Sequence, residues 1–193
     1  MKKLKVTIIG YGGMGSFHAK LIQANPEVEV HGIFDILESR QQAGEADGYS
    51  AYASLEEALN DACADTILIA TPNDVHKEIA VQALEAGKHV ICEKPVTLTS
   101  EELSEIMHTA KEHERVFMVH QNRRWDSDFQ MVKDLYENRK IGEVFHIESR
   151  VQGANGIPGD WRHLKAHGGG MLLDWGVHLL DQLLYMIDSP LAK

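Results

Sequence analysis

The sequence Gly10-Tyr11-Gly12-Gly13-Met14-Gly15 directly follows the apolar run Val6–Ile9 and precedes a helical pattern. It has the G-x-G-x-x-G spacing, and its place between a strand and a helix is typical of a dinucleotide-binding turn. The first glycine allows a tight turn, the second lets a pyrophosphate approach the backbone, and the third permits close packing of the helix on the strand. The helix N-terminus adds a favourable dipole. The residues expected to contact the dinucleotide here are Gly10, Gly12, Gly13, Met14 and Gly15.

Short apolar runs alternate with longer helical patterns as far as about Val119. The runs are apolar at successive residues, which is typical of parallel strands covered on both faces by helices. Two helix starts carry a capping-box pattern, at Ser54–Glu57 and Thr99–Glu102. We predict an α/β fold with a Rossmann-like, doubly wound parallel sheet. The predicted strands are Val6–Ile9, Val28–Phe34, Thr66–Ala70, His89–Cys92 and Val116–Val119.

The pattern changes after residue 120, so we predict a dinucleotide-binding domain over residues 1–120 and a second domain over 121–193. In residues 121–193 the sequence pattern predicts a helix over Asp128–Asn138, a long strand over Gly142–Gln152 and a helix over Gly170–Ile187. This second part therefore has one strand candidate and two helix candidates, with no further strand.

Composition restricts the classes of function. The chain has 193 residues and a formal net charge of −10, and its Lys and Arg residues are scattered. An acidic chain without a basic patch is unsuited to nucleic acid. No uncharged stretch approaches the ~18 residues of a membrane span, and the two cysteines, Cys63 and Cys92, form no close pair. These features predict a cytoplasmic protein with no nucleic-acid partner, no membrane partner and no thiolate metal site.

Asp35 ends the second predicted strand, about 20 residues after the glycine turn, where an acidic residue accepts hydrogen bonds from the ribose hydroxyls of an adenosine. A carboxylate there repels a 2′-phosphate, so the sequence favours NAD over NADP. Arg40 can reach the same region and is included among the cofactor-binding candidates. The alternative for Asp35 is a cap of the next helix.

Polar residues also follow the next two predicted strands, at the edge where ligands of such folds lie. Thr71, Pro72, Asn73 and His76 follow one strand and are expected to contact the cofactor, although Asn73 and His76 are equally compatible with a helix cap. Glu93-Lys94-Pro95 follows the other strand. A lysine at that place can hold a substrate oxygen and stabilise its anionic form.

The last predicted helix carries Asp174, His178 and Asp181 at spacings of four and three residues, which places them on one helical face. The rest of the helix is strongly apolar, and polar groups in such a helix are costly unless they are satisfied. The polar face therefore indicates the lining of a cleft, with a satisfied core histidine as the alternative. A histidine exchanges protons near neutral pH, and a carboxylate one turn away can orient it.

Together these motifs resemble the glucose-fructose oxidoreductase/inositol dehydrogenase (Gfo/Idh/MocA) family. The resemblance covers the whole chain, and Glu93-Lys94-Pro95 with D-x-G-x-H over Asp174–His178 is its most specific part. It implies an NAD(P)-dependent oxidoreductase that acts on a sugar, cyclitol or related polyol. It also implies catalytic roles for Lys94, His178 and Asp174, and a cofactor contact for Glu93, Lys94 and Asn122.

In the mechanism we expect, the cofactor takes the hydride, His178 takes the hydroxyl proton, Lys94 binds the same oxygen, and Asp174 binds a neighbouring hydroxyl or orients His178. Further substrate-side candidates, for each of which a structural role is at least as well supported, are Arg123, Trp125, Trp161 and Arg162.

The sequence departs from the family pattern because it stops after the D-x-G-x-H helix. Members of the family continue into an open β-sheet, and the resemblance implies a homo-oligomer whose interface that sheet commonly supplies. The resemblance therefore implies that residues 121–193 are the beginning of an α+β substrate domain, which is incomplete, and that the usual oligomer interface is missing. The chain is then a truncated or clipped form, or a short natural relative of the family.

Two alternatives remain from the sequence. One is a nucleotide-binding module or sensor without turnover. The other is a metal-dependent enzyme that uses His163, His167, Asp174 and His178, although the glycine turn and Lys94 have no role in it.

Overall fold

The computed structural model describes residues 3–153 and 159–189. The chain folds into two compact units, Met1–His120 and Gln121–Lys193.

The first unit is built on a five-stranded sheet in which every neighbouring pair of strands is parallel. The order of the strands is β2-β1-β3-β4-β5. The predicted doubly wound parallel sheet is confirmed, and the observed strands differ from the predicted ones by two residues or fewer at each end. They are β1 (Leu4–Ile9), β2 (Val28–Phe34), β3 (Thr66–Ile69), β4 (His89–Glu93) and β5 (Phe117–His120).

Five helices accompany the sheet: α1 (Gly13–Gln23), α2 (Glu38–Ala46), α3 (Leu55–Asn60), α4 (His76–Glu85) and α5 (Ser100–Glu112). Successive side chains of a strand point to opposite faces, and the core divides accordingly. Ile8 and Leu68 pack with Ala19 of α1, whereas Ile67 and Ile69 pack with Leu84 of α4 and its neighbours. The sheet therefore has a hydrophobic core on both faces.

The register brings the carboxyl ends of the strands to one edge of the sheet. Ile9 of β1 lies opposite Phe34 of β2 and Ile69 of β3, and Glu93 of β4 lies opposite His120 of β5. The residues that follow these strands therefore share the edge at which open α/β sheets bind ligands.

The second unit is described from Gln121 to Gly153 and from Gly159 to Ser189. It contains two α-helices, α6 (Ser127–Glu137) and α7 (Val177–Met186), short 3₁₀ turns at Asn122–Trp125, Trp161–His163 and Lys165–His167, and a π-helical turn over Leu172–Gly176. In the described parts of the chain, no helix is both long enough and apolar enough to cross a membrane.

Two predictions for this unit were wrong. The structure assigns no strand within residues 142–152. A strand is defined by ladder hydrogen bonds to a partner, and none of the strands in the described residues pairs with this segment. The predicted helix over Gly170–Ile187 is not one regular α-helix, because Leu172–Gly176 is π-helical and α7 begins only at Val177.

Candidate functional site

The glycine turn between β1 and α1 leaves an open helix N-terminus. Gly10 has a φ of +92°, and a Cβ at this position would lie 2.7 Å from the carbonyl oxygen of Ala70. A Cβ on Gly15 would lie 1.9 Å from the carbonyl oxygen of Gly10. Gly10 is therefore required by the conformation of the turn, and Gly15 is required by the close contact between the helix and the turn.

The two middle glycines differ from these. A Cβ on Gly13 would meet nothing within 4 Å, and one on Gly12 would meet the Arg40 guanidinium at 3.2 Å. No side chain caps the first turn of α1, and this turn contains no acidic residue. Uncapped N–H groups with open space beside them suit a phosphate group. This end of α1 therefore fits the pyrophosphate of a dinucleotide.

Asp35 lies beside this turn, directly after β2, and is only 3% exposed. Its Oδ2 accepts the Tyr11 N–H at 2.8 Å, and its Oδ1 accepts the Leu37 N–H at 2.9 Å. The Arg40 guanidinium lies 3.5 Å from Oδ2, and its side chain is partly exposed. Because each carboxylate oxygen accepts more than one hydrogen bond, Asp35 holds the turn and still has acceptor capacity.

The residues after β3 that were predicted to contact the cofactor differ in their hydrogen-bond partners. The Thr71 hydroxyl is buried and has no hydrogen-bond partner among the described residues, so it is available to a ligand at this edge. Asn73 begins a 3₁₀ turn after Pro72 and is buried. His76 is fully buried, with Nδ1 3.0 Å from the Pro95 carbonyl oxygen and Nε2 3.0 Å from that of Thr71. Its ring nitrogens thus face one loop carbonyl on each side, and burial lowers the pKa of His76.

Glu93, at the end of β4, is the centre of a buried cluster. Its Oε1 accepts hydrogen bonds from His18 Nε2 at 2.6 Å and from His120 Nδ1 at 2.9 Å. Although burial favours the neutral form, the hydrogen bonds and charges of the two histidines lower the pKa of Glu93 to about 2. The Lys94 N–H lies 3.2 Å from Glu93 Oε2 and donates to it. The Glu93 carboxylate, predicted to contact the cofactor, is thus held by protein groups.

Sequence reasoning assigned no role to His18 or His120. His18 lies on α1, three residues after the last glycine of the turn, and is buried. His120 is the last residue of β5, in register with Glu93. For His120 the available signal was the strand register, because polar residues that end neighbouring parallel strands lie side by side.

In the second unit, the three residues predicted to share one face have different partners. Asp174 lies in the π-helical turn, with its Oδ1 3.7 Å from Arg162 Nε. His178 is buried on α7, and its ring centroid lies 6.0 Å from that of Trp175. Asp181 accepts two hydrogen bonds from Arg124, at 2.8 and 2.6 Å. Asp181 therefore stabilises the unit, and the π-helical turn removes the regular spacing that the prediction assumed.

Two other candidates lie near the start of this unit. Asn122 begins a 3₁₀ turn, and its Oδ1 is buried with no hydrogen-bond partner in the described parts of the chain. The Arg123 guanidinium carbon lies 4.2 Å from the centre of the Trp175 ring, and Arg123 also pairs with Asp126 at 2.8 Å. Arg123 thus has a structural role within its own unit.

The geometry does not favour the metal-dependent alternative. Within residues 3–153 and 159–189, two groups of His, Cys, Asp or Glu have donor atoms that all lie within 4.8 Å of one another. They are His18 with Glu93 and His120, and His31 with Asp61 and Cys63. The set His163, His167, Asp174 and His178 forms no such group among these residues.

Comparison with known families agrees with this geometry. Residues 4–121 match the family described as "Oxidoreductase family, NAD-binding Rossmann fold" (GFO_IDH_MocA), and residues 129–193 match a GFO/IDH/MocA C-terminal domain. The chain belongs to the Gfo/Idh/MocA oxidoreductase family. The resemblance stated from the sequence motifs is thereby confirmed.

Individual Gfo/Idh/MocA proteins are similar over nearly all of this chain. The uncharacterized oxidoreductase YdgJ of Escherichia coli is 37% identical over 98% of this chain and 55% of its own length. The scyllo-inositol 2-dehydrogenase (NADP(+)) IolW of Bacillus subtilis is 33% identical over 98% of this chain and 53% of its own length. A crystal structure of an NAD-binding protein from Listeria innocua is 63% identical, with a TM-score of 0.95, over 97% of this chain and 56% of that one. The chain spans about half the length of the curated relatives it matches.

Proposed function

We propose that the protein is an NAD-dependent oxidoreductase that moves a hydride between the nicotinamide ring and a secondary hydroxyl or carbonyl of a sugar, cyclitol or related polyol. The observation that carries this proposal is the open, uncapped N-terminus of α1 beside the buried carboxylate of Asp35, at the edge where β1 and β2 end. A relative named as an inositol dehydrogenase supports the substrate class.

Asp35 supports NAD over NADP as the cofactor. Its carboxylate faces the turn where the adenosine ribose of a dinucleotide binds in such folds, and a negative charge there opposes a 2′-phosphate. The Arg40 guanidinium, 3.5 Å from Asp35, offsets part of that charge. We expect Asp35→Asn to improve the binding of NADP relative to the binding of NAD. We expect Arg40→Ala to weaken the binding of NADP. Fluorescence titration with NADH and NADPH measures both effects.

In the first unit, we assign Lys94 to the substrate oxygen. When bound, the nicotinamide ring supplies the hydride chemistry. The Lys94 ammonium donates to the oxygen that loses its proton and stabilises the developing alkoxide. The main-chain position of this lysine is held by its N–H bond to Glu93.

In the second unit, we assign His178 as the acid and base and Asp174 as a group that binds a neighbouring hydroxyl. A neutral imidazole accepts the hydroxyl proton in the oxidative direction and returns it in the reductive direction. The Arg162 Nε atom lies 3.7 Å from Asp174 Oδ1, and a carboxylate accepts hydrogen bonds from hydroxyl groups.

A turnover screen tests this function. NADH formation is followed with a panel of cyclitols and sugars for the unaltered protein, for Lys94→Ala and for His178→Ala. We expect each substitution to lower kcat by about 10²- to 10⁴-fold with little change in the Kd for NADH. The matched controls are Lys111→Ala and His108→Ala on α5, where both residues are exposed. Full turnover in both test variants contradicts the assignment, and dinucleotide binding without any turnover supports the sensor alternative.

A further inference from the structure

The strand order shows which way a dinucleotide must extend from the glycine turn. β1, which leads into the turn, has β2 on one side and β3, β4 and β5 on the other. Asp35 follows β2, so the adenosine half lies on that side. The nicotinamide half therefore extends along the ends of β3 and β4, past the buried hydroxyl of Thr71 and toward Glu93. Neighbouring strands are about 4.8 Å apart, so the end of β4 is roughly 10 Å from the turn.

Glu93 carries a negative charge that water screens poorly. Its side chain is 7% exposed, and it is ionised at neutral pH because two imidazole N–H groups donate to it. One N–H group from each histidine holds the carboxylate in place.

Lys94 and His76 are two further titratable groups near this end of the sheet edge. Lys94 is adjacent in sequence but more exposed than Glu93, so solvent screens its charge more strongly. His76 is fully buried, and burial lowers its pKa and so favours its neutral form. Glu93 therefore contributes a poorly screened negative charge at this end of the sheet edge.

We propose that the buried carboxylate of Glu93 makes the site favour the oxidised cofactor over the reduced one. The oxidised nicotinamide ring carries a positive charge and the reduced ring is neutral, so a nearby buried anion stabilises only the oxidised form. Glu93 thereby favours the direction in which an alcohol is bound with the oxidised cofactor. This inference rests on the dinucleotide binding proposed above.

The test compares the Kd of NAD⁺ with that of NADH by calorimetry and does not require turnover. Glu93→Gln keeps the shape of the side chain and removes its charge. We expect it to raise the ratio Kd(NAD⁺)/Kd(NADH) by on the order of tenfold, because the attraction between the carboxylate and the positive ring is lost. Most of the change is expected in NAD⁺, with NADH binding nearly unaltered.

A control variant isolates the charge. Glu112→Gln removes the same charge from an exposed position on α5 and is expected to keep the ratio of the unaltered protein. If Glu93→Gln does not fold, Glu93→Met provides the same comparison, because methionine has a similar length and no charge.

The contradictory results are distinct from each other. A ratio in Glu93→Gln or Glu93→Met that stays within about twofold of the unaltered protein, with both forms still bound, overturns this inference alone. If the unaltered protein binds neither NAD⁺ nor NADH, the proposed function fails and the inference fails with it.

Discussion

The two units of the molecule hold their functional side chains by different means. In the first unit, Ile8, Ile67 and Ile69 are completely buried in the sheet, and the chemistry-bearing residues follow the ends of these strands. In the second unit, the buried hydrophobic side chains among the described residues are Phe129 and Met186. Charged and aromatic pairs, such as Arg124 with Asp181, connect its segments instead.

This difference determines how precisely each set of groups is placed. A parallel sheet with a core on both faces fixes the strand ends in register, so Glu93 and Lys94 are positioned by the backbone. The groups of the second unit depend on pairs of long side chains, and such pairs lose rotamer freedom when they form. We therefore expect substitutions in the first unit to have the larger effects on stability.

The largest effect is expected for Gly15→Ala. The added Cβ would lie 1.9 Å from a backbone oxygen, and neither atom can move without breaking the turn. We expect a loss of about 4 kcal/mol or more of unfolding free energy, measured by urea denaturation. Gly13→Ala is the matched control, since its Cβ meets nothing. It should retain the fold and weaken NADH binding, and an unfolded Gly13→Ala protein would contradict this account of the turn.

The next effect compares one apolar side chain from each unit. Ile67→Ala removes a side chain with no exposed surface and is expected to cost about 3 kcal/mol. Phe145→Ala removes one that is 98% exposed and is expected to change stability by less than about 0.5 kcal/mol. Urea denaturation at neutral pH measures both. Equal losses would mean that the contrast between the units is wrong.

The Glu93 cluster should also appear in the dependence of stability on pH. The pKa of Glu93 falls from 4.5 to about 2 in the folded protein, so its contribution is complete above about pH 4.5 and is lost as the pH falls toward 2. Glu93→Gln lacks this contribution at every pH. The stability difference between the two proteins should therefore shrink between pH 5 and about pH 2.5 in urea denaturation. A difference that does not change with pH would show that the carboxylate is not ionised in the cluster.

A smaller effect is expected for the main ion pair of the second unit. Arg124 and Asp181 form two hydrogen bonds, but Arg124 is 38% exposed, so water screens the attraction. A double-mutant cycle with Arg124→Ala and Asp181→Asn should give a coupling energy of about 1 kcal/mol. Additive single effects would show that this pair does not hold the unit together.

The sequence was most informative where local pattern and structure agree. An uninterrupted apolar run such as Thr66–Ile69 can be satisfied only between two covered faces, so the parallel sheet followed from the pattern. The capping box at Thr99 is complete in the structure, since Thr99 accepts from the Glu102 N–H and the Glu102 side chain accepts from the Thr99 N–H. These features depend on neighbours a few residues away.

Features that depend on distant partners could not be predicted in this way. The histidines that bind Glu93 come from positions 75 residues before it and 27 residues after it. Residues 142–152 have the composition of a strand, but composition does not supply a partner strand. The π-helical turn before His178 inserts an irregularity that the apolar pattern does not reveal.

The most direct test of the proposed cofactor site is a crystal structure of the protein soaked with NAD⁺. The account predicts the pyrophosphate on the N–H groups at the start of α1 and the adenosine ribose hydroxyls on Asp35. It also predicts that the nicotinamide half extends past Thr71 toward the end of β4. An adenosine ribose bound away from Asp35, or a nicotinamide half directed away from β4, would contradict it.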